Sequence, residues 1–278
     1  MTKSFQIYMF HLGVRIVELL PRSMTILIAK ILALIGFLVA KKSRQIVKKN
    51  LTYCNQTKFS YNTFKTISNY AVCLTDKLRI PIFDYEMLKK MVDVSGISNF
   101  DKALSLNRGV ILITAHLGNW DLAGVYVSYL GYPLTAVVEE IPGLSDFYNF
   151  LRTRTGMETV FMREHDKMND VLAKNRILVL LGDRDLTGRG IPVKFLSGEK
   201  KLPRGPATFA LKYSVPILFG YFVLNDSQNK LYKVEISEPL FPENQSLEEL
   251  TQLIASRLSD YVSKFPLQWF VFKDEWLN

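Results

Sequence analysis

Two cysteines and three histidines in 278 residues leave little material for metal or disulfide chemistry. Cys54 and Cys73 lie in a stretch of helical periodicity, with no CxxC pair and no histidine close in sequence. That excludes a disulfide framework or a zinc site as the organising element. Both are expected to be ordinary small apolar residues, compatible with a reducing, cytosolic side. The chain has no zinc-finger spacing, no ribonucleoprotein aromatic motif and no heptads beside a basic helix, so the common nucleic-acid modules are absent. No internal repeat or low-complexity tract occurs, which removes solenoids and disordered linkers. A basic n-region ahead of the first apolar run is also lacking, and that run ends in charges, so a cleaved secretory signal is not expected.

What is present is a positive excess. Lysine and arginine total 35 against 26 acids, a formal charge of +9, with hydrophobic residues at 48% and charged residues at 22%. Such an excess favours anionic partners: nucleic acid, an anionic lipid surface, or a phosphate-bearing substrate or carrier. Without a nucleic-acid module, membrane or phosphate is the reading that stands. The length suits one α/β domain with an N-terminal appendage.

The appendage is residues 1–49. Phe5 to Leu20 carries His11, Arg15 and Glu18 among apolar residues and is closed by Pro21, which predicts an amphipathic helix. Met24 to Ala40 is more apolar, M-T-I-L-I-A-K-I-L-A-L-I-G-F-L-V-A. A helix of this length spans about 25 Å against a hydrocarbon core of about 30 Å. Lys30 near its centre would cost roughly 2.5 to 3.5 kcal/mol at the bilayer midplane. The expectation is a retained anchor, interfacial or shallowly inserted, followed by a basic cluster (Lys41, Lys42, Arg44, Lys48, Lys49) suited to anionic lipid on the cytoplasmic leaflet. A buried core helix with a solvated basic face would produce the same pattern.

Residues 50–278 form the second unit. Helical periodicity runs from Asn50 to about Lys90, with Phe64, Ile67, Tyr70, Leu74 and Leu78 on one face. Short strands are predicted at 92–94, 109–114, 134–138, 159–161, 177–181, 216–224 and 231–236. Helices are predicted at 97–106, 120–130, 145–154, 168–174, 205–212 and 247–265. Residues 183–204, rich in glycine, proline and charge, read as a structured loop. Alternation of strand and helix implies βαβ units: an α/β fold with a mainly parallel central sheet flanked by helices, and a site at the carboxyl ends of its strands.

The segment G-V-I-L-I-T-A-H-L-G-N-W-D-L-A-G, residues 109–124, delivers His116 from a buried strand into a turn. Asp121 follows five residues on, in the first turn of the next helix, placed to fold back on the imidazole. A histidine fixed by a carboxylate is suited to act as a general base. Asp183 also falls at a strand end. His11 opens a second H-L-G, but Ile16 stands where the acid would be. No activated Ser or Cys motif such as a G-x-S-x-G elbow is present. Lys194, Lys200, Lys201 and Arg204 are positioned to meet phosphates, although a charge run of this kind is more often a solvated face.

The segment A-H-L-G-N-W-D-L-A-G, the block D-R-D-L-T-G-R-G-I-P-V-K-F with G-E-K-K-L-P-R-G-P-A, and the tail P-L-Q-W-F together resemble the bacterial lipid A late acyltransferase family. That family includes lauroyl and myristoyl transferases and the phosphatidylinositol mannoside acyltransferases. The resemblance covers most of the chain and implies a glycerolipid acyltransferase-like fold. It implies His116 as general base, Asp121 as its acidic partner and Arg152 as an active-site arginine, with Arg154 as its substitute. Asp183 matches a position where relatives of the mannoside enzymes carry Glu. Asn119, Arg154, Arg184 and Glu199 are the candidate substrate-binding residues; Arg184, Asp185 and Glu199 belong to the same blocks, with a structural role in the turn as the alternative. For the oxyanion of an acyl transfer, turn N–H groups near Gly118 and Asn119 or the Arg152 guanidinium are the candidate donors.

The expected activity is therefore transfer of a fatty acyl chain from an acyl thioester, acyl-CoA or acyl carrier protein, to a hydroxyl of a membrane glycolipid or phospholipid. No metal or resident cofactor is expected. The expected location is the cytoplasmic face of the inner membrane. An acyl-thioester hydrolase and a non-catalytic lipid-binding protein on the same fold are the alternatives.

Overall fold

The computed structural model describes residues 3–140, 145, 155–226 and 229–277. The chain opens with four helices, α1 (Lys3–Leu19), α2 (Arg22–Val39), α3 (Lys41–Tyr53) and α4 (Phe59–Leu78). Pro21 separates the first pair, since a proline ring restricts the residue before it and supplies no N–H. α2 lies on α4 through its small residues Thr25, Ala29 and Ala33, which are buried, while Leu27, Ile31, Leu32, Leu38 and Val39 point outward. Arg22 anchors its start with two hydrogen bonds to the buried Asp76 of α4, at 2.8 and 2.6 Å.

There follow α5 (Tyr85–Met91), β1 (Val92–Ser95), α6 (Asn99–Leu104), β2 (Val110–Thr114), α7 (Trp120–Tyr129), β3 (Leu134–Val138) and β4 (Glu158–Phe161). Then come α8 (His165–Ala173), β5 (Ile177–Leu181), β6 (Ile191–Phe195), β7 (Gly198–Leu202), α9 (Gly205–Tyr213), β8 (Ile217–Leu224), β9 (Tyr232–Ile236) and α10 (Leu247–Lys264). The central sheet has the order β1-β9-β8-β2-β5-β3-β4. Strands β8, β2, β5, β3 and β4 are mutually parallel, β9 runs antiparallel to β8, and β1 is parallel to β9. The mainly parallel α/β sheet flanked by helices is thus the architecture that the alternation predicts.

Both faces of the sheet are covered. Residues of α8, α9 and α10, among them Met168, Ala207 and Leu258, pack on one face. Residues of α5, α6 and α7, among them Leu88, Phe100 and Leu122, pack on the other. This explains why β2 and β5 read as continuous apolar runs rather than alternating ones. Cys54 and Cys73 are both buried, and burial pushes the Cys54 thiol up to about 12.

The segment 183–204 departs from the expected loop. It contains the antiparallel hairpin β6–β7, with Val193 opposite Lys200. Alternation along β7 turns Lys200 and Leu202 inward and Glu199 outward. The predicted helix at 145–154, with Arg152 and Arg154, lies outside the described residues except for Ser145.

Candidate active site

Register places the site. In the β2–β5 pair, Thr114 stands opposite Leu181, and the pairing continues one step further as the Gly182 N–H donates to the Thr114 carbonyl at 2.8 Å. Two residues past each strand end, His116 and Asp183 meet at the carboxyl edge of the sheet. His116 Nδ1 lies 2.8 Å from Asp183 Oδ1, and the His116 backbone N–H donates to Asp183 Oδ2 at 3.1 Å. The imidazole is partly exposed while the carboxylate is fully buried. Nε2 of His116 makes no hydrogen bond to any described residue, and the Trp120 ring stands edge-on to the imidazole, 5.1 Å between centroids.

The turn that carries His116 is clamped by the C-terminal segment. The Phe270 N–H donates to the His116 carbonyl and the Gly118 N–H to the Gln268 carbonyl, each at 2.8 Å. Asn119 N–H donates to the Phe222 carbonyl of β8 at 2.8 Å. Gly118 has φ of +65°, and a Cβ there would lie 2.0 Å from the Phe222 carbonyl oxygen, so only glycine fits. These bonds correct one expectation: the Gly118 and Asn119 N–H groups are consumed in bracing the turn and are not free to receive an oxyanion.

A second correction concerns Asp121. Its carboxylate lies on the α4 side of α7, buried, with the Lys77 ammonium at 2.5 Å. The first turn of α7 carries it away from the ring, and the carboxylate at Nδ1 belongs to Asp183. Asn119, expected at the substrate, caps α7 instead. Its Oδ1 accepts from the Leu122 N–H at 3.3 Å, and its Nδ2 donates to the Cys73 carbonyl and to the Tyr232 hydroxyl at 3.1 and 3.4 Å. The Tyr232 hydroxyl in turn donates to Asp76 Oδ2 at 2.6 Å, so the turn that carries His116 and α2 are both tied to α4.

Behind Asp183 lies a charged cluster that the sequence reading missed. Trp269 Nε1–H donates to Asp183 Oδ2 at 2.8 Å. Lys200 is 1% exposed, its ammonium 5.4, 5.3 and 5.7 Å from the ring centroids of Phe195, Trp269 and Trp276. Glu275 bridges it to Arg184: Oε2 is 3.3 Å from Lys200 Nζ, and Oε1 accepts from Arg184 Nε at 2.9 Å. Lys200 is therefore a buried, paired cation, not part of a solvated charge run, and Arg184 faces Glu275. Glu199 points outward on β7. Asp185 holds its own loop, accepting from the Thr187 N–H and hydroxyl and from the Gly190 N–H.

Burial opposes charge on Asp183, but the His116 partner, the Lys200 charge and the Trp269 N–H outweigh it and hold the carboxyl well below the ordinary carboxylate range. Burial also lowers the affinity of Lys200 for its proton, countered by Asp183 and Glu275. The tail motif P-L-Q-W-F was visible in the sequence; its donors to the turn and to Asp183 were not.

A parallel α/β sheet that brings a histidine and a buried carboxylate together at its carboxyl edge has the architecture of a group-transfer or hydrolytic enzyme. The chain belongs to the bacterial lipid A biosynthesis acyltransferase family, which it matches over residues 1–278. It is 26% identical over 219 residues to a phosphatidylinositol mannoside acyltransferase of Mycolicibacterium smegmatis, covering 76% of this chain and 71% of the relative. It is 24% identical over 221 residues to the Mycobacterium tuberculosis protein of the same name, covering 76% and 69%.

Proposed function

We propose that this chain transfers a fatty acyl group from an acyl thioester, acyl-CoA or acyl carrier protein, to a hydroxyl of a membrane glycolipid at the cytoplasmic face of the inner membrane. The observation that carries the reading is the His116–Asp183 pair, which fixes Nδ1 and leaves Nε2 for a substrate proton. The names of the mycobacterial relatives support a glycolipid acceptor.

In this reading Asp183 holds the tautomer and orientation of His116. Nε2 takes the proton of the acceptor hydroxyl as its oxygen bonds to the thioester carbonyl carbon. The tetrahedral adduct collapses with loss of the thiolate, which receives the proton from the imidazolium. Arg152, an active-site arginine by the family resemblance, is the remaining candidate donor to the developing oxyanion. No step needs a metal.

The membrane reading rests on α2. It has 18 residues, a mean hydropathy of 2.0 and an outward apolar stripe. Because its small-residue face is packed on α4, we place it in the interface with that stripe toward lipid, with Lys30 exposed to reach the headgroups.

The test is incubation of detergent-solubilised protein and its His116→Ala variant with acyl-CoA or acyl carrier protein and total membrane lipid, read by mass spectrometry. A lipid that gains one acyl mass only with the unmutated protein is the expected result. Equal gain with H116A sinks the mechanism; free fatty acid without acylated lipid transfers the reading to a hydrolase.

A further inference from the structure

Beside the end of α2, the first turns of α3 and the C-terminal segment 272–274 enclose an open groove of about 530 Å³, lined by Lys42, Gln45, Ile46, Lys49, Phe272, Lys273 and Asp274. Positions 42, 45, 46 and 49 fall on one face of a helix, opposite the buried Val47, Asn50 and Leu51. Both walls are fixed. The α2–α3 corner is closed by the Arg44 guanidinium, which donates to the Phe37 and Leu38 carbonyls. The tail is held by Asn50 Nδ2, which donates to the Val271 carbonyl at 2.8 Å, and by Phe270 through its bond to the His116 carbonyl. Phe272 packs edge-on against Tyr70.

The charges in the groove are unequally matched. Lys49 pairs with Asp274 at 2.9 Å, whereas Lys42 and Lys273 form no ion pair with a described residue. Three ammonium groups against one carboxylate leave a net positive pocket with an apolar wall of Ile46 and Phe272. Within one helical corner of it, Leu38 and Val39 at the end of α2 are 65% and 76% exposed.

We propose that this groove binds the phosphate headgroup of an anionic membrane lipid, with the acyl chains of that lipid lying along the outward stripe of α2. The ammonium groups of Lys42 and Lys273 meet the phosphate, and the Lys49–Asp274 pair presents its carboxylate to headgroup hydroxyls. The adjacency of apolar helix end and basic pocket points to a lipid and not a soluble phosphate, because a soluble ligand has no use for the exposed Leu38 and Val39. The proposal rests on the reading of α2 as the membrane-facing helix and is independent of turnover.

The experiment compares the full chain, Lys42→Gln/Lys273→Gln and Lys174→Gln/Lys212→Gln by vesicle co-sedimentation, on phosphatidylcholine vesicles with and without 30% phosphatidylglycerol (a composition of about that fraction). The control pair removes the same charge beside the amino ends of β5 and β8, away from the groove. The expected result is a loss of roughly 30-fold in partitioning onto the anionic vesicles for the groove variant, at most a few-fold for the control, and equal binding of all three to neutral vesicles. Equal losses in the two variants would assign binding to diffuse charge and overturn the groove. Failure of the unmutated chain to bind either vesicle would remove the α2 reading and the groove with it. Saturable binding of coenzyme A or inorganic phosphate that is lost in the groove variant, with unchanged vesicle partitioning, would give the site to a soluble phosphate and also overturn the proposal.

Discussion

His116 and Asp183 are 67 residues apart in sequence and 2.8 Å apart in space, and the whole distance is closed by the register of β2 on β5. Each residue follows its strand by two positions, so the pair is a property of the sheet and not of a flexible loop. A carboxylate that holds Nδ1 while the other ring nitrogen works loses its charge and one of its two acceptor oxygens when it becomes an amide, whose NH2 group then faces N–H donors. Asp183→Asn should lower kcat by roughly 10³ to 10⁴-fold with little change in KM, since it spoils the tautomer and leaves substrate binding untouched. Steady-state kinetics on acylated product measure this; a loss under tenfold would separate Asp183 from the chemistry.

The same residue makes acid stability predictable. The carboxyl of Asp183 is depressed in the folded state, so it contributes stability that is fully present above its unfolded value near pH 4 and is lost as pH falls below that toward the folded value. The unfolding midpoint in urea should therefore fall between about pH 4.5 and pH 2.5 more steeply for the unmutated chain than for Asp183→Asn, which has no proton to take up. Parallel curves for the two proteins would contradict the assignment.

Lys200 tests the cluster behind the pair. Its ammonium is enclosed by three aromatic rings and faces Glu275. Lys200→Met removes a buried cation whose partners stay in place, a change that costs about 3 to 5 kcal/mol when a buried pair is broken. Arg184 remains on Glu275, so the expected loss sits at the lower end, near 3 kcal/mol, read from the shift in urea midpoint at unchanged slope. Glu275→Gln/Lys200→Met should recover part of that loss by removing the carboxylate that has lost one of its two cation partners. A single variant as stable as the parent would show that the ion pair contributes nothing.

What was legible in the sequence was the scaffold and its strand ends. The apolar runs at 110–114 and 177–181 located both His116 and Asp183, because strands buried on both faces cannot hide polar residues until they end. Their pairing was not legible. β5 inserts between β2 and β3, and nothing in a hydrophobic pattern states strand order. The short-range match to Asp121 therefore filled the place of the carboxylate, although the first turn of α7 turns that side chain toward Lys77. Lys200 escaped because G-E-K-K-L looks like a charged turn; only the pairing with β6 turns it inward, beside Leu202.

The outward stripe of α2 gives the last prediction. Leu27, Ile31 and Leu38 are 60%, 51% and 65% exposed, and none supports the core of the α/β domain. Three such side chains facing water carry a cost that a lipid interface removes, at roughly 25 cal/mol per Å² of apolar area covered. Replacing all three by Ser should move the protein from the membrane fraction toward the soluble one while changing its unfolding free energy by at most about 0.5 kcal/mol per substitution, about 1.5 kcal/mol together, as for other surface changes. Turnover of a short-chain, water-soluble acceptor should persist, since the ties from α4 to the turn that carries His116 run through Asp76, Tyr232 and Asn119 and not through the stripe. Membrane release with retained turnover would assign the stripe to lipid. Unfolding on substitution would make it a packing surface, because a helix that only seats the protein on a bilayer has no reason to destabilise the sheet domain when its outer face becomes polar.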